Sequence, residues 1–476
     1  MKLGLGMIIK SEVEDLERVL SSYGKLFDEM QITITHPSKR VELEAVCKKY
    51  GANATYYDWQ SEAGLLSYRG KKLFPFDKAR NFNMQQFKIA KSYVRLDADD
   101  EILNPENLRD LADAANSSHI SVVYCWYNYS RDKYGAVDAG HYRETILKVT
   151  PKIKWNKDIH ENILPIVNKG FEIFVDVAQK VTIFHRSTHE KLVASNKRNI
   201  KYLLAEYRRD KENTDSRTLA YLGRTFHGME KYNLAKRFLE EHIASSGWDE
   251  DRYQSWCHLA YIMQRVKNFD QAIGACNEAI HEKPEYPEAY LELHDIYFDR
   301  GKYKKAIEFA TMGLSKQIPK TFTMIDPSRY TWRTFASLAL CYLNIGNLDY
   351  SKKYLALAIS SIQDKTAFSY IEKLIQEAED STEYVMSLGR VMNYLEKHDP
   401  KQLETMAKAI PTSLNHHDMV TKLKKRYLKP KDWPENSVVF MCPPVFEKWS
   451  PKSVVSGIGG SEEAVIHLSR ELANLG

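Results

Sequence analysis

"YVRLDADDEIL" (residues 93–103) sets four carboxylates, Asp97, Asp99, Asp100 and Glu101, directly behind an apolar run that reads as a buried strand. Acidic groups this close repel one another, and the cost is small only in water, at a helix cap or around a cation. A D-x-D pair at a strand end suits Mg2+ or Mn2+, because hard cations prefer oxygen ligands and a bound diphosphate can supply the rest. The same short pattern also occurs as a solvated acidic turn, here with Asp99 or Asp100 capping the helix after "NPEN".

The flanks of this stretch alternate strand and helix. "KLGLGMII" reads as a strand, "SEVEDLERVLSSYGKLF" as an amphipathic helix capped by Ser11 with Glu14 three residues on, and "EMQITIT" as a second strand. The helix "KRVELEAVCKKYG", the strand "NATYYDW", a helix around "DKARNFNMQQFKIAK" and the strand "SYVRLDA" follow. This alternation predicts an α/β domain with a mostly parallel sheet, whose ligands bind beyond the carboxyl ends of the strands. The acidic cluster lies at one such end.

From about residue 215 the pattern is helical and repeats. "EKYNLAKRFLEEHI", "KNFDQAIGACNEAI", "GKYKKAIEFATMGL" and "GNLDYSKKYLALAI" each carry an aromatic residue or Leu followed three places later by a small residue: Tyr232/Ala235, Phe269/Ala272, Tyr303/Ala306 and Leu348/Ser351. The separations are 37, 34 and 45 residues and Pro284 closes one unit, which resembles an all-α solenoid of tetratricopeptide repeats with insertions. Stacked helix pairs of this kind present a surface suited to a protein partner or an acceptor.

Lys+Arg 68 against Asp+Glu 63 leaves a net charge of +5, interspersed along the chain, so no strong polyanion field is implied and nucleic acid is unsupported. One local basic run, Lys422, Lys424, Lys425, Arg426, Lys429 and Lys431, reads as a solvated face of a linker or as a polyanion patch. The six cysteines are scattered without a C-x-x-C pair and read as reduced core thiols. With no signal-peptide core and no long apolar run, the sequence predicts a cytoplasmic protein without a membrane span.

"MIIKSEVEDLERVL", "KKYGA", "FDKARNF" and "RLDADDE", in this order and spacing, resemble the family-2 glycosyltransferases of GT-A fold, a Rossmann-like mixed sheet, over roughly residues 1–210. The resemblance implies a nucleotide-sugar donor, a UDP-sugar first, and Mn2+ or Mg2+ as cofactor. It places Ile9 and Lys10 beside the nucleotide, Asp77, Arg80 and Asn81 near the donor, Asp97 at the ribose or metal, and Asp99 on the metal. "VTIFHRS" offers His185 as a further metal ligand, and "WNKDIHENIL" matches the family's His-Glu segment at His160 and Glu161. "THPSKR" replaces the usual base-reading Asp, and Asp158 stands where many relatives carry glycine.

An inverting transfer needs a carboxylate apart from the metal ligands to take the acceptor's proton. Glu161, in the apolar run "IHENIL" expected to raise its pKa, is the first candidate and Asp158 the next. "GIGGSEEAV" resembles the beginning of a family-4, GT-B glycosyltransferase. The expected organisation is a transferase domain at 1–210, repeats at 211–380, a helical linker at 381–435 and the start of a second transferase at 436–476. The competing reading is a non-catalytic tetratricopeptide scaffold with a degenerate sugar-nucleotide fold.

Overall fold

The computed structural model describes residues 2–428 except 119, 166–170, 187, 246 and 416; the expected start of a second transferase at 436–476, with Lys429 and Lys431, lies outside the described residues. Residues 1–379 and 380–476 group as two compact units.

The first unit opens with β1 (Leu3–Ile9), α1 (Val13–Tyr23), β2 (Glu29–Ile34), α2 (Arg40–Lys49) and β3 (Asn53–Tyr56). A short hairpin, β4 (Ser67–Tyr68) and β5 (Lys71–Lys72), leads to α3 (Phe76–Gln85) and β6 (Ser92–Arg95). Every residue of β2 and β6 is buried, as expected of strands covered on both faces. Gly6 in β1 is required by packing: a Cβ there would stand 2.7 Å from Asn83 Oδ1 and from the Tyr93 ring. The start of α1 differs from expectation. Ser11 does not cap it; Glu12 precedes the helix, and its Oε2 accepts the N–H groups of Lys10 and Ser11 at 2.9 and 2.8 Å.

After the acidic turn come β7 (Asp100–Ile102), α4 (Leu108–Ser117), β8 (Val122–Arg131), β9 (Val137–Lys148), the pair β10 (Ile153–Asn156) and β11 (Asn162–Pro165), then β12 (Ile173–Val175) and β13 (Thr182–His185). The main sheet runs β3-β2-β1-β6-β9-β8-β13-β7, with β12 also beside β8. β3, β2, β1 and β6 are parallel, but β9 lies antiparallel to both β6 and β8. The sheet is therefore mixed, and curled by the register shifts along β8 and β9. Local pattern cannot reveal this, because strand direction is set by connections rather than by side-chain alternation.

The helices α5 (His189–Arg209), α6 (Ser216–Gly228), α7 (Tyr232–Ile243), α8 (Asp249–Arg265), α9 (Phe269–Glu282), α10 (Glu288–Asp299), α11 (Tyr303–Leu314), α12 (Trp332–Asn344) and α13 (Leu348–Ser360) follow. Ala235, Ala272, Ala306 and Ser351 are each 0% exposed, so the repeat's small residues sit where helices approach closest. The five described cysteines are free thiols.

The repeats are joined to the sheet by stretch 319–331, between α11 and α12, which contains one 3-10 turn at Pro327–Tyr330. Ile325 and Gly140 of β9 exchange backbone hydrogen bonds at 2.9 and 3.0 Å, and Phe322 packs on Tyr124 with ring centres 4.6 Å apart. From the other side Thr321 donates to Glu250 of α8 at 2.5 Å, Tyr330 donates to Glu288 of α10, and Arg329 pairs with Glu292 and Asp295 at 2.7 and 2.6 Å. Ile325 and Tyr330 share a core with Trp126, Tyr142 and Leu291.

In the second unit the rest of α14 (Ser369–His398), α15 (Leu403–Ala409) and α16 (Asp418–Tyr427) close around Val385, Leu388, Met392, Leu403, Ala407, Ile410 and Val420. Lys422, Lys425 and Arg426 are exposed on α16, and Arg426 pairs with Glu396. Among the described residues no helix is long and apolar enough to cross a membrane.

Deleting residues 215–379 strips the cover from β8 and β9 and exposes Trp126 and Tyr142. The remnant is expected to aggregate or lose its near-UV circular dichroism; a folded, monomeric remnant on size exclusion would refute the joint described above.

Candidate functional site

The acidic turn is paired rather than solvated. β7 runs antiparallel to β13 with Asp100 opposite His185, and this register brings His185 Nδ1 to 3.0 Å from Asp100 Oδ1 and 3.4 Å from Asp99 Oδ1. Asp100 is almost fully buried; its Oδ1 also accepts from the Tyr127 hydroxyl at 2.6 Å and its Oδ2 from the Asp97 N–H at 2.9 Å. Arg18 of α1 locks the turn by donating to the carbonyls of Ala98 and Asp100 at 2.9 and 3.1 Å. Neither Asp99 nor Asp100 caps α4, where no side-chain cap is formed.

Asp99, Asp100 and His185 offer ligand atoms that all lie within 4.8 Å of one another. Two carboxylates and an imidazole form a donor set that Mn2+ accepts. Burial pushes the His185 imidazole down, but the Asp100 hydrogen bond and the charges of Asp100, Asp99 and Asp97 outweigh it and raise it above its ordinary value, so a cation bound here would displace a ring proton. Tyr129 stacks on the ring at 5.4 Å and 17°, fixing its plane. With both oxygens of Asp100 engaged, Asp99 and His185 fit as direct ligands and Asp100 as the group that orients the histidine. Burial, with Asp97 and Asp100 nearby, pushes the Asp99 carboxyl up against the opposing charges of His185 and of Lys191, whose Nζ lies 3.3 Å from Asp99 Oδ2.

Asp97 sits differently from the expected metal ligand. Its Oδ1 accepts from Arg80 at 3.1 Å and its Oδ2 from Arg95 and Arg143 at 2.9 and 3.1 Å. Burial pushes this carboxyl up, but the three guanidinium charges outweigh it and hold Asp97 well below the usual range. Arg80 and Arg95 also lie over the Trp155 ring, 5.3 and 5.7 Å from its centre.

Arg80 continues to Glu161, whose Oε1 accepts from its Nε at 2.6 Å. Here the structure corrects the sequence reading. "IHENIL" is apolar along the chain, but the Glu161 carboxylate meets Arg80: burial pushes it up, and the charges of Arg80 and Arg95 bring it down to about 2. Asp158 goes the other way, to about 6, through burial and the charges of Asp77 and Glu206. Asp77, also raised by burial, has an Oδ1 that is buried without a partner among the described residues. Arg95 Nε, His160 Nε2, Asn162 Oδ1 and Arg217 Nε share that condition.

The remaining expected donor residues are placed as follows. Ile9 is buried, its carbonyl accepting the Thr35 N–H at 2.8 Å, and Lys10 is exposed at the end of the same strand. Asn81 spends its amide on the Trp155 backbone, with 2.9 Å bonds to both N–H and carbonyl, so it clamps β10 to α3. Sequence reading missed Arg95 and Trp155 as members of the cluster: each opens a quoted stretch, "RLDADDE" and "WNKDIHENIL", but roles were read only for the acidic residues and the histidine behind them.

Asp158 has a folded pKa above its ordinary value of 3.8, so its contribution to stability is present below that value and lost as pH rises through about 6. Asp158→Asn is therefore expected to raise Tm at pH 8, with the gain gone by pH 4 on differential scanning fluorimetry. Glu161→Gln leaves Arg80 underpaired and is expected to cost about 3–5 kcal/mol at neutral pH in chemical denaturation.

Comparisons with known proteins bear on the helical half. Residues 265–317 match the family model of the tetratricopeptide repeat. Solved structures similar to the chain include the crystal structure of MamA, 22% identical over 40% of this chain and 96% of that chain, with a TM-score of 0.29. A thermophilic tetratricopeptide-repeat protein of Thermus thermophilus is 20% identical over 39% and 93%, TM-score 0.29. YrrB, described as a tetratricopeptide-repeat protein with an unusual peptide-binding site, is 14% identical over 40% and 86%, TM-score 0.29. These scores carry no inference. No curated protein matches the chain. Its second half contains tetratricopeptide repeats.

Proposed function

We propose that the chain is a metal-dependent glycosyltransferase of GT-A type that moves a sugar from a nucleotide-diphosphate sugar, a UDP-sugar first, to an acceptor hydroxyl or amide with inversion. The observation that carries this is the cation-sized cluster of Asp99, Asp100 and His185 at a strand end beside the guanidiniums of Arg80, Arg95 and Arg143. A bound Mn2+ or Mg2+ would neutralise charge developing on the leaving diphosphate. Asp99 and His185 would hold it, and Asp100 would keep His185 oriented. Three guanidiniums face only two carboxylates, Asp97 and Glu161, so the cluster keeps a positive excess suited to an anionic donor.

Asp158 replaces Glu161 as the proton acceptor in this reading. A base works best with a pKa near the operating pH; about 6 meets that condition and about 2 does not. As the acceptor oxygen bonds to the anomeric carbon, the bond to the diphosphate oxygen breaks with its electron pair, and the acceptor's proton passes to the Asp158 carboxylate.

The repeats favour a second reading, a protein-interaction scaffold whose sheet domain is catalytically inert, because the family match falls on the repeats alone. Isothermal titration of Mn2+ with UDP, GDP and dTDP, followed by mass spectrometry of products from a mixed donor panel, separates the two. The transferase reading expects Mn2+-dependent heat with one nucleotide and at least ~100-fold lower turnover in Asp99→Asn. Absence of nucleotide binding with any of the three leaves the scaffold.

A further inference from the structure

The segment "KDIHE" (157–161) carries two non-glycine residues in the left-handed region, Lys157 at φ 79° and His160 at φ 52°, on either side of Asp158. Such conformations persist only where surrounding contacts over-determine them, and they gather at working sites. Here those contacts come from the first helices of the helical half.

Lys157 Nζ bonds Glu206 of α5 at 2.6 Å and also Asp215, whose other oxygen caps α6 through the Thr218 N–H at 3.1 Å. Ile159 is buried in the core of the repeats with Tyr202, Leu203 and Leu222. The His160 ring lies flat on Tyr221 of α6, centres 3.8 Å apart at 7°, and its carbonyl accepts from Arg217 at 3.5 Å. Burial takes the His160 imidazole down to about 3, so the stack is made by a neutral ring. Glu161, by contrast, turns toward α3 and Arg80.

We propose that Lys157 and His160 are positioning residues through which α5 and α6 hold Asp158 in place, making the start of the helical half a working part of the site. The proposal rests on Asp158 being the proton acceptor. The charged and titratable groups facing Asp158 are Asp77 and Lys78 from α3, Tyr57 beyond β3, and Tyr202, Glu206 and Arg209 from α5. Of these, Glu206 is the one that Lys157 neutralises. Without the Lys157 ammonium, Glu206 and Asp215 both lose their cation, and Asp158 holds its proton more tightly.

The test uses the full chain carrying aspartate labelled with carbon-13 at Cγ, with the Asp158 resonance identified by its absence in Asp158→Asn. Wild type is expected to titrate at about 6. Lys157→Met is expected to move the midpoint up by roughly half a unit or more, with Lys157→Arg restoring it. Tyr221→Ala is expected to raise amide hydrogen exchange of residues 157–161 by at least ~10-fold, while Tyr221→Phe leaves it at the wild-type rate. Far-UV circular dichroism of each variant separates loosening of the segment from loss of the fold. A wild-type midpoint of about 6 that neither Lys157→Met nor Tyr221→Ala moves, with exchange unchanged, overturns the positioning role and leaves the base standing. A wild-type midpoint in the ordinary carboxylate range near 4 removes the poised base, and the proposal with it.

Discussion

The structure of the candidate site depends on one buried guanidinium. Arg80 of α3 donates to Asp97 beyond β6 and to Glu161 in the segment after β10, so one side chain joins three elements that lie up to 81 residues apart. Removing a partner from a buried ion pair strands the other charge at a cost of several kcal/mol. The three elements are therefore held together as a set. Asn81, one residue on, closes the same joint by hydrogen bonding the Trp155 backbone.

That arrangement also divides the acidic residues by role. Asp97 and Glu161 face arginines and stay ionised; Asp158, three residues from Glu161, faces Asp77 and Glu206 and is raised. Groups of one chemical type acquire opposite acid–base behaviour from their neighbours alone, and this separation is what acid–base chemistry requires. The same turn carries Asp97, bound by Arg80, Arg95 and Arg143 from α3, β6 and β9, and two residues on Asp99, which joins Asp100 and His185 in a cation-sized cluster.

The helical half is built into the sheet domain rather than tethered to it. Stretch 319–331 lies between β9 and helices α8 and α10, bonded to both sides. At the other contact α5 and α6 take hold of the segment bearing Asp158 through Lys157, Ile159 and His160. Both joints combine apolar burial with charged hydrogen bonds, which fix orientation as well as proximity.

By itself the sequence determined the elements whose signal is periodic and local. The strand before the acidic turn, the helix pairs and their small contact residues Ala235, Ala272, Ala306 and Ser351 all follow from side-chain spacing, because burial of one face repeats with the period of the backbone. The acidic turn and His185 were legible as candidate residues for the same reason: they stand at strand ends. Only the tertiary structure decided the direction of β9, the failure of Ser11 to cap α1, and above all which carboxylate is poised. Apolar neighbours in "IHENIL" suggested a raised Glu161, yet a pKa responds to charges a few ångströms away in space, and Arg80 comes from 81 positions earlier in the chain. Chain adjacency reports hydrophobic surroundings but not the partner that folding brings, and for an ionisable group the partner decides.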